Sequence, residues 1–206
     1  MMRSRLLGVL SASWRGFTLI EVVVALVIVL VLAAVALPQL NGYLQQKRVD
    51  ATAAQLTTIA NALTQFEKDV GNTNAGRLSE LSQPLISGNA AYNTGTDDSC
   101  GLTFSAGEKG NWDTKGPFIS FFVDRDSGMV TPIGRARDSL TRVPNSATAG
   151  VLIINFINSV ALEDAVLLDE TTDASTGAAG GSIRWDLPAV AGLVTMYARI
   201  PVNNKC

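Results

Sequence analysis

The chain of 206 residues is long enough for one domain with a hydrophobic core and an additional segment. It carries 16 Lys and Arg residues against 18 Asp and Glu residues, so its formal net charge at pH 7 is −2. A nearly neutral chain lacks the positive surface that tight nucleic-acid binding requires, and we do not expect nucleic acid as a partner. The chain contains no histidine, which removes the commonest general base and metal ligand, so we expect no enzyme active site.

The first 37 residues divide into a basic leader and an apolar segment. Residues 1–16 contain three arginines and no acidic residue, whereas residues 17–37 are mostly apolar. As a helix with a rise of 1.5 Å per residue, the 21 residues of this segment extend roughly 31 Å, about the hydrocarbon thickness of a bilayer. Because the arginines precede the segment, the positive-inside rule places the N-terminus in the cytoplasm and the rest of the chain outside the membrane.

One carboxylate interrupts the apolar segment. Glu21 has hydrophobic neighbours on both sides, and the residues from Val22 to Leu37 are all apolar. A charged residue near the centre of a bilayer costs roughly 2.5–3.5 kcal/mol on insertion scales. Glu21 is therefore expected to have a charged partner, to serve a function, or to lie close to the membrane interface.

The residues around Glu21 form a recognisable motif. The segment from Arg15 to Glu21 (Arg-Gly-Phe-Thr-Leu-Ile-Glu), followed by an apolar run and Pro38, resembles the N-terminal signature of type IV pilins and type II secretion pseudopilins. The resemblance implies cleavage after Gly16 by a prepilin peptidase and N-methylation of the new terminal residue, Phe17. It further implies that Glu21 pairs with the amino group of Phe17 in a neighbouring subunit during assembly. An inner-membrane assembly platform and a helix kink at Pro38 are also typical of this family.

Two other interpretations of the N-terminus stay open. Ala34-Val35-Ala36 fits the cleavage site of a secretory signal peptide, which would be cut before Leu37. Against this interpretation, Glu21 would interrupt the hydrophobic region, and that region exceeds the usual length of about 7–15 residues. A plain uncleaved anchor fits the length of the segment but does not explain why a carboxylate, Glu21, lies within it.

Residues 38–71 carry a helical pattern with one apolar side. Apolar residues recur there at spacings of three and four, which places them on one helix face. These residues are Val49, Ala53, Leu56, Ala60, Leu63, Phe66 and Val70. We predict a nearly continuous helix from Phe17 to Val70, with a transmembrane half over 17–37 and an amphipathic half over 38–71. Gly71 is a plausible stop, and bends are expected near Pro38 and Gly42.

Residues 72–206 form the predicted globular head. Polar composition predicts loops over residues 71–117, 134–149 and 171–182, and a short helix is expected over 158–169. Strands are predicted over 117–123, 129–133, 151–157, 183–187 and 193–200, the first two forming a hairpin around Asp124–Gly128. A long helix followed by four or five antiparallel strands is an α+β arrangement. It agrees with the pilin fold, in which the sheet packs on the outer half of the helix.

Two further sites follow from the resemblance. Many type IV pilins carry a C-terminal disulfide, so we expect a bond between Cys100 and Cys206, with two free thiols as the alternative. Major pseudopilins bind calcium in a loop near the C-terminus, and Asp169, Glu170 and Asp173 precede a Gly-rich loop here. A solvated acidic turn is the simpler interpretation of these carboxylates. We therefore expect no cofactor and keep calcium as a hypothesis.

These patterns predict a structural subunit of the bacterial inner membrane, with a single span and a periplasmic head, that joins copies of itself and related pilins. Residues 62–71 and 116–118 resemble the major pseudopilin, which favours a secretion pseudopilus over a type IV pilus. The longer head and the C-terminal cysteine are closer to true pilins, so both assemblies stay open.

Two other classes of function also stay open. One is a DNA-uptake or adhesive minor pilin, which a patch of Arg135, Arg137 and Arg142 would favour. The other, more remote, is a membrane-anchored periplasmic enzyme.

Overall fold

The computed structural model describes residues 17–71, 75–85, 104–144, 150–157, 160–174, 177–187 and 189–202, without the side chains of residues 38, 142–144 and 157. The chain divides into two units, Met1–Tyr43 and Leu44–Cys206. The second unit contains the predicted head together with the end of the long helix, and we call this whole unit the head from here on. The predicted leader with Gly16 and the predicted disulfide between Cys100 and Cys206 lie outside the described residues.

A long helix begins the described chain. Helix α1 spans Leu19–Phe66 and continues as a π-helical turn over Glu67–Gly71. This extent confirms the predicted helix to within two residues at its start. The element is continuous across Pro38 and Gly42, and the bends expected there stay a prediction.

Within the second unit, α1 buries the apolar stripe that its sequence predicts. Its fully buried members are Val49, Leu56, Leu63, Phe66 and Val70, and its half-buried members are Ala53 and Ala60. They share one hydrophobic core with the inner face of a β-sheet, including Leu140, Leu152, Ile154, Met196 and Ala198. Burial of a large apolar side chain contributes about 1.5–3 kcal/mol. The stripe therefore holds this part of α1 against the sheet.

The fold is α+β, as the sequence predicts. The strands are β1 (Met129–Thr131), β2 (Gly134–Pro144), β3 (Gly150–Ile157), β4 (Val160–Ala161), β5 (Ile183–Trp185), β6 (Leu193–Val194) and β7 (Met196–Val202). Five of them form an antiparallel sheet in the order β1-β2-β3-β7-β5, and β4 pairs with β6 in a separate two-stranded sheet. The long strands β3 and β7 align Val151 with Pro201 and Asn155 with Tyr197.

The predicted hairpin between residues 117–123 and 129–133 is wrong. Strand β1 instead pairs with β2, where Met129 lies opposite Ala136. Residues 117–123 are apolar but form no strand, because the N–H groups of Phe118 and Ile119 both donate to the Leu81 carbonyl. Asp124–Gly128 is a turn, as predicted, but it closes on itself through two hydrogen bonds between its end residues.

The predicted loop over 134–149 is also wrong, since residues 134–144 form β2, the longest described strand. Its inward positions are Ala136, Asp138 and Leu140, and the register shifts between Ala136 and Leu140. An acidic residue at a core position and a bulge both weaken the alternating pattern by which a strand is recognised.

Two helical segments lie where loops were predicted over 71–117. A 3-10 turn spans Leu78–Leu81, and helix α2 spans Ala106–Lys115. Helix α2 begins with a capping box in which Ser105 and Glu108 exchange hydrogen bonds. Trp112 is its one buried residue, so the helix carries no apolar stripe that would predict it.

The C-terminal elements follow the prediction with shifts of a few residues. Helix α3 spans Leu162–Asp173, which confirms a helix in this region but extends into the predicted loop 171–182. Strands β3 and β5 confirm the predictions over 151–157 and 183–187. The predicted strand 193–200 is divided at Thr195 into β6 and β7, which belong to different sheets.

Candidate functional site

The start of α1 carries the motif residues. Phe17 lies two positions before the first helical residue, Leu19, and its side chain is exposed. The backbone N–H of Glu21 donates to the Thr18 hydroxyl at 3.3 Å and to the Thr18 carbonyl at 3.1 Å. Thr18 therefore caps the helix N-terminus. Glu21 lies in the first turn, where the helix dipole favours a negative charge.

The carboxylate of Glu21 is accessible to groups outside the subunit. The residue is exposed, and within residues 17–71 and the other described segments its side chain has no hydrogen-bond or ion-pair partner. An unpaired carboxylate beside an apolar helix surface is costly in lipid, so a partner in another molecule would stabilise it.

Large apolar side chains surround the helix of the first unit. Between Leu19 and Leu37 each of them keeps 45–83% of its surface exposed. An 18-residue window of this helix has a mean hydropathy of 3.2, and among the described residues it is the one helix long and apolar enough to cross a membrane. A helix that is apolar on all sides is stable in lipid or against other apolar surfaces.

Among the described residues, Glu80 and Asp138 are buried carboxylates that belong to one cluster and that no sequence pattern predicted. Glu80 lies in the 3-10 turn and is 6% exposed, and Asp138 lies on β2 and is 5% exposed. The Glu80 Oε2 atom accepts hydrogen bonds from the N–H groups of Gly76 at 2.8 Å and Arg77 at 3.1 Å. Burial nevertheless raises the pKa of Glu80 from 4.5 to about 8, because removal from water disfavours the charged form.

Asp138 connects the 3-10 turn to the sheet. It accepts hydrogen bonds from the Ser79 N–H at 2.7 Å and the Ser79 hydroxyl at 3.0 Å, and Arg77 Nη1 lies 3.2 Å from its carboxylate. Burial raises the pKa of Asp138 above its ordinary 3.8, although the contacts with Ser79 and Arg77 act in the opposite direction. The indole N–H of Trp112 donates to the Glu80 carbonyl at 2.7 Å and so joins α2 to the same turn. No local sequence pattern indicates this cluster, because Ser79 and Asp138 lie 59 positions apart in the chain.

The proposed calcium ligands are engaged in hydrogen bonds to backbone. Asp169 Oδ2 accepts from the Gly177 N–H at 2.9 Å, and Asp173 Oδ2 accepts from the N–H groups of Ser182 at 2.5 Å and Ile183 at 2.7 Å. These bonds hold the end of α3 to the segment that leads into β5. Among the described residues no group of three His, Cys, Asp or Glu side chains is arranged to hold a metal ion. Calcium binding stays a hypothesis.

The three arginines whose clustering would favour a DNA-uptake or adhesive role lie on β2. Arg135 and Arg137 are exposed, and Arg135 Nη1 donates to the Ser127 carbonyl at 3.2 Å. The side chain of Arg142 lies outside the described part of the chain. A DNA-uptake or adhesive role stays a hypothesis.

Residues 15–37 match the family described as the prokaryotic N-terminal methylation motif. No curated protein and no solved structure matches the chain. The motif implies processing by a prepilin peptidase and assembly with other pilin subunits, and with the apolar helix it is compatible with a single-pass anchor in the inner membrane. The resemblance seen from Arg15 to Glu21 is confirmed: the chain carries the prepilin-type motif of type IV pilins and pseudopilins, which supports a type IV pilin-like protein.

Proposed function

We propose that this chain is a structural subunit of a type II secretion pseudopilus or a type IV pilus. The observation that carries the proposal is the coincidence of two features in one segment. Residues 15–37 match the methylation motif, and the large apolar side chains from Leu19 to Leu37 are exposed on every side of the helix. A subunit held in lipid and later bundled with other copies needs such a helix.

In the proposed pathway, the leader lies in the cytoplasm and the head lies in the periplasm. Prepilin peptidase cuts after Gly16 at the cytoplasmic face, and the new amino group on Phe17 is methylated. Phe17 precedes the first helical residue by two positions and is exposed, which suits access by a processing enzyme.

Glu21 then sets the register of assembly. Its carboxylate is exposed in the first turn of α1, and in a filament it pairs with the amino group of Phe17 in a neighbouring subunit. The two charges neutralise each other in an apolar bundle, whereas a subunit in the wrong register leaves both charges unpaired. An inner-membrane platform adds subunits to the growing base.

Within this class we favour the secretion pseudopilus. The two segments that resemble the major pseudopilin, residues 62–71 and 116–118, contact each other in the head: the rings of Phe66 and Phe118 pack edge to face with centroids 5.4 Å apart. The absence of histidine from the whole sequence supports a structural role over a catalytic one.

The substitution Glu21→Ala tests the register role in cells that contain the assembly machinery. We expect the variant to be processed and to remain in the membrane but to be missing from sheared or cross-linked filaments. Glu163→Ala is a matched control, because Glu163 is also exposed and also lies in the first turn of its helix. Filaments with normal amounts of the Glu21→Ala subunit would contradict the proposal.

Deletion of the gene separates the two assemblies. A pseudopilus subunit predicts loss of exported proteins from the culture medium with surface fibres intact. Loss of surface fibres with normal export would instead place the chain in a type IV pilus.

A further inference from the structure

An exposed apolar turn follows β5 in the head. The chain runs Leu-Pro-Ala-Val-Ala-Gly-Leu over residues 187–193, without one polar side chain. Leu187 is 63% exposed, Val190 75% and Leu193 41%. We call Val190–Leu193, together with Leu187, the apolar turn. Turns at the surface of a water-soluble domain are normally polar, so this composition suggests contact with something other than water.

The backbone of the apolar turn does not require these residues. The N–H and carbonyl groups of Val190 and Leu193 bond reciprocally, each at 3.0 Å. The two central residues, Ala191 and Gly192, have φ angles of 53° and 77°. Tight hairpin turns with positive φ at both central positions favour Asn-Gly, Asp-Gly or Gly-Gly, and alanine is disfavoured there. Ala191 is therefore an apolar residue at a position where Asn or Asp would fit the backbone better.

The apolar turn lies at the end of the head where α1 enters. The Leu162 N–H, at the start of α3, donates to the Gly192 carbonyl at 2.9 Å. Two residues further along α3, Asp164 accepts a hydrogen bond from Gln45 Nε2 at 3.0 Å. Gln45 is the second residue of the unit Leu44–Cys206, so the turn and the entry of α1 share one end of that unit.

A short segment of chain links this end of the head to the apolar run. Gln45 follows Leu37, the last residue of the apolar run, by eight residues of helix, which is roughly 12 Å at 1.5 Å per residue. In an anchored subunit, lipid is therefore the apolar partner that this short link keeps within reach of the end of the head carrying Gln45.

We propose that the apolar turn rests on the lipid bilayer while the subunit is stored in the membrane. The side chains of Leu187, Val190 and Leu193 enter the boundary between headgroups and acyl chains, as apolar residues of peripheral proteins do. This contact orients the head on the membrane surface, and it is broken when the subunit is extracted into a filament. The inference rests on the proposed function, because it requires residues 17–37 to span the bilayer.

Tryptophan fluorescence in vesicles tests the contact. The full chain with Val190→Trp, in a Trp14→Phe background, is reconstituted into phosphatidylcholine vesicles with or without bromine on the acyl chains. The remaining tryptophans, Trp112 and Trp185, are buried in the head and give a constant background. Bromine quenches only indoles that reach the acyl region, and its presence in both leaflets makes the orientation of the chain unimportant.

Phe122→Trp in the same background is the matched control. Phe122 is 72% exposed, comparable with Val190, but it lies close in sequence to Phe118, whose ring contacts Phe66 at the last turn of α1. That turn is 22 residues beyond Leu44, roughly 33 Å along the helix, and thus far from the membrane-proximal end.

We expect brominated lipid to quench the Val190→Trp chain at least about twofold more than the Phe122→Trp chain, because an interfacial residue lies only about 5–10 Å into the boundary region. Leu187→Trp is a second reporter, should the substitution at Val190 disturb the fold, and it should be quenched in the same way. Equal quenching of the reporters and the control, in chains that float with the vesicles, would overturn the inference but leave the anchor intact. A chain that fails to float with the vesicles would contradict the membrane anchor itself, and the inference would fall with it.

Discussion

The substitution Glu80→Gln should remove much of the pH dependence of the stability of the head. Glutamine keeps a side-chain oxygen that can accept the hydrogen bonds from Gly76 and Arg77, but it carries no ionisable group. In the parent, burial raises the pKa of Glu80 from 4.5 to about 8. The folded state therefore holds a proton between these values that the unfolded state has released.

The sign and size of the effect follow from linkage. Since the folded pKa is the higher one, the stabilisation is fully present below pH 4.5 and is lost as the pH rises towards 8. At 1.36 kcal/mol for each pKa unit, the whole interval corresponds to at most about 5 kcal/mol, and the part between pH 5 and pH 7 to about 2.5 kcal/mol. The raised pKa of Asp138 acts in the same direction. The lowered pKa values of Asp69 and Asp124 act below about pH 4 and leave this range unaffected.

Urea unfolding of the full chain in detergent, followed by tryptophan fluorescence, measures the effect. Trp112 is a suitable reporter, because its indole N–H donates to the Glu80 carbonyl. The Glu80→Gln variant should match the parent near pH 4 and exceed its free energy of unfolding by about 2–3 kcal/mol at pH 7. In thermal unfolding that difference is about 5–10 °C for a domain of this size.

Glu170→Gln removes an exposed carboxylate of the same length and serves as the control. Its stability should follow the pH curve of the parent. If the curves of Glu80→Gln and the parent run parallel from pH 4 to pH 8, the reasoning about the buried acid is wrong.

Three further predictions concern the head. Asp138→Ala should lower the free energy of unfolding by about 3–5 kcal/mol in urea titrations, because the amide and hydroxyl of Ser79 lose a charged acceptor inside the protein; a loss below about 1 kcal/mol would contradict this role. Asp173→Ala should lower it by about 1–3 kcal/mol even in EDTA, whereas Glu170→Ala should not, since Asp173 binds two backbone N–H groups. An effect of Asp173→Ala that appears only with added calcium would instead favour the calcium hypothesis. In oxidised protein, Cys206 should resist alkylation until a reductant is added, and labelling without reductant would rule out the predicted disulfide.

The sequence predicts the long helix well, because its signals are local and repeated. The apolar run to Leu37 and the stripe that ends at Val70 both follow the helical period over many residues. The assembly motif is equally local: Gly16, Phe17 and Glu21 lie within six consecutive positions. Such features need no knowledge of which distant residues meet in the fold.

The head was predicted less well, because distant partners decide its structure. The contact between Ser79 and Asp138 joins residues 59 positions apart, and no local pattern indicates it. Because Asp138 occupies an inward position, the sequence of β2 lacks the regular alternation of apolar and polar residues, and it predicts a loop. Conversely, residues 117–123 have the composition of a strand, but the N–H groups of Phe118 and Ile119 bond to the Leu81 carbonyl, and no strand in the described part of the chain pairs with this segment.

The order of the sheet also depends on distant pairing. Strand β7, the last described strand in sequence, lies between β3 and β5, and β6 pairs with β4 outside the main sheet. Local propensity predicts four or five strands, and the described residues form seven. It does not determine which strands lie next to each other in the sheet.

The central claim is that the chain enters the prepilin pathway. The most direct measurement is the intact mass and N-terminal sequence of the protein recovered from membranes of cells with their own prepilin peptidase. We predict a chain that begins at N-methylated Phe17. A chain that begins at Leu37 would indicate ordinary secretion, and one that begins at Met1 would indicate a plain anchor; either result would contradict the account.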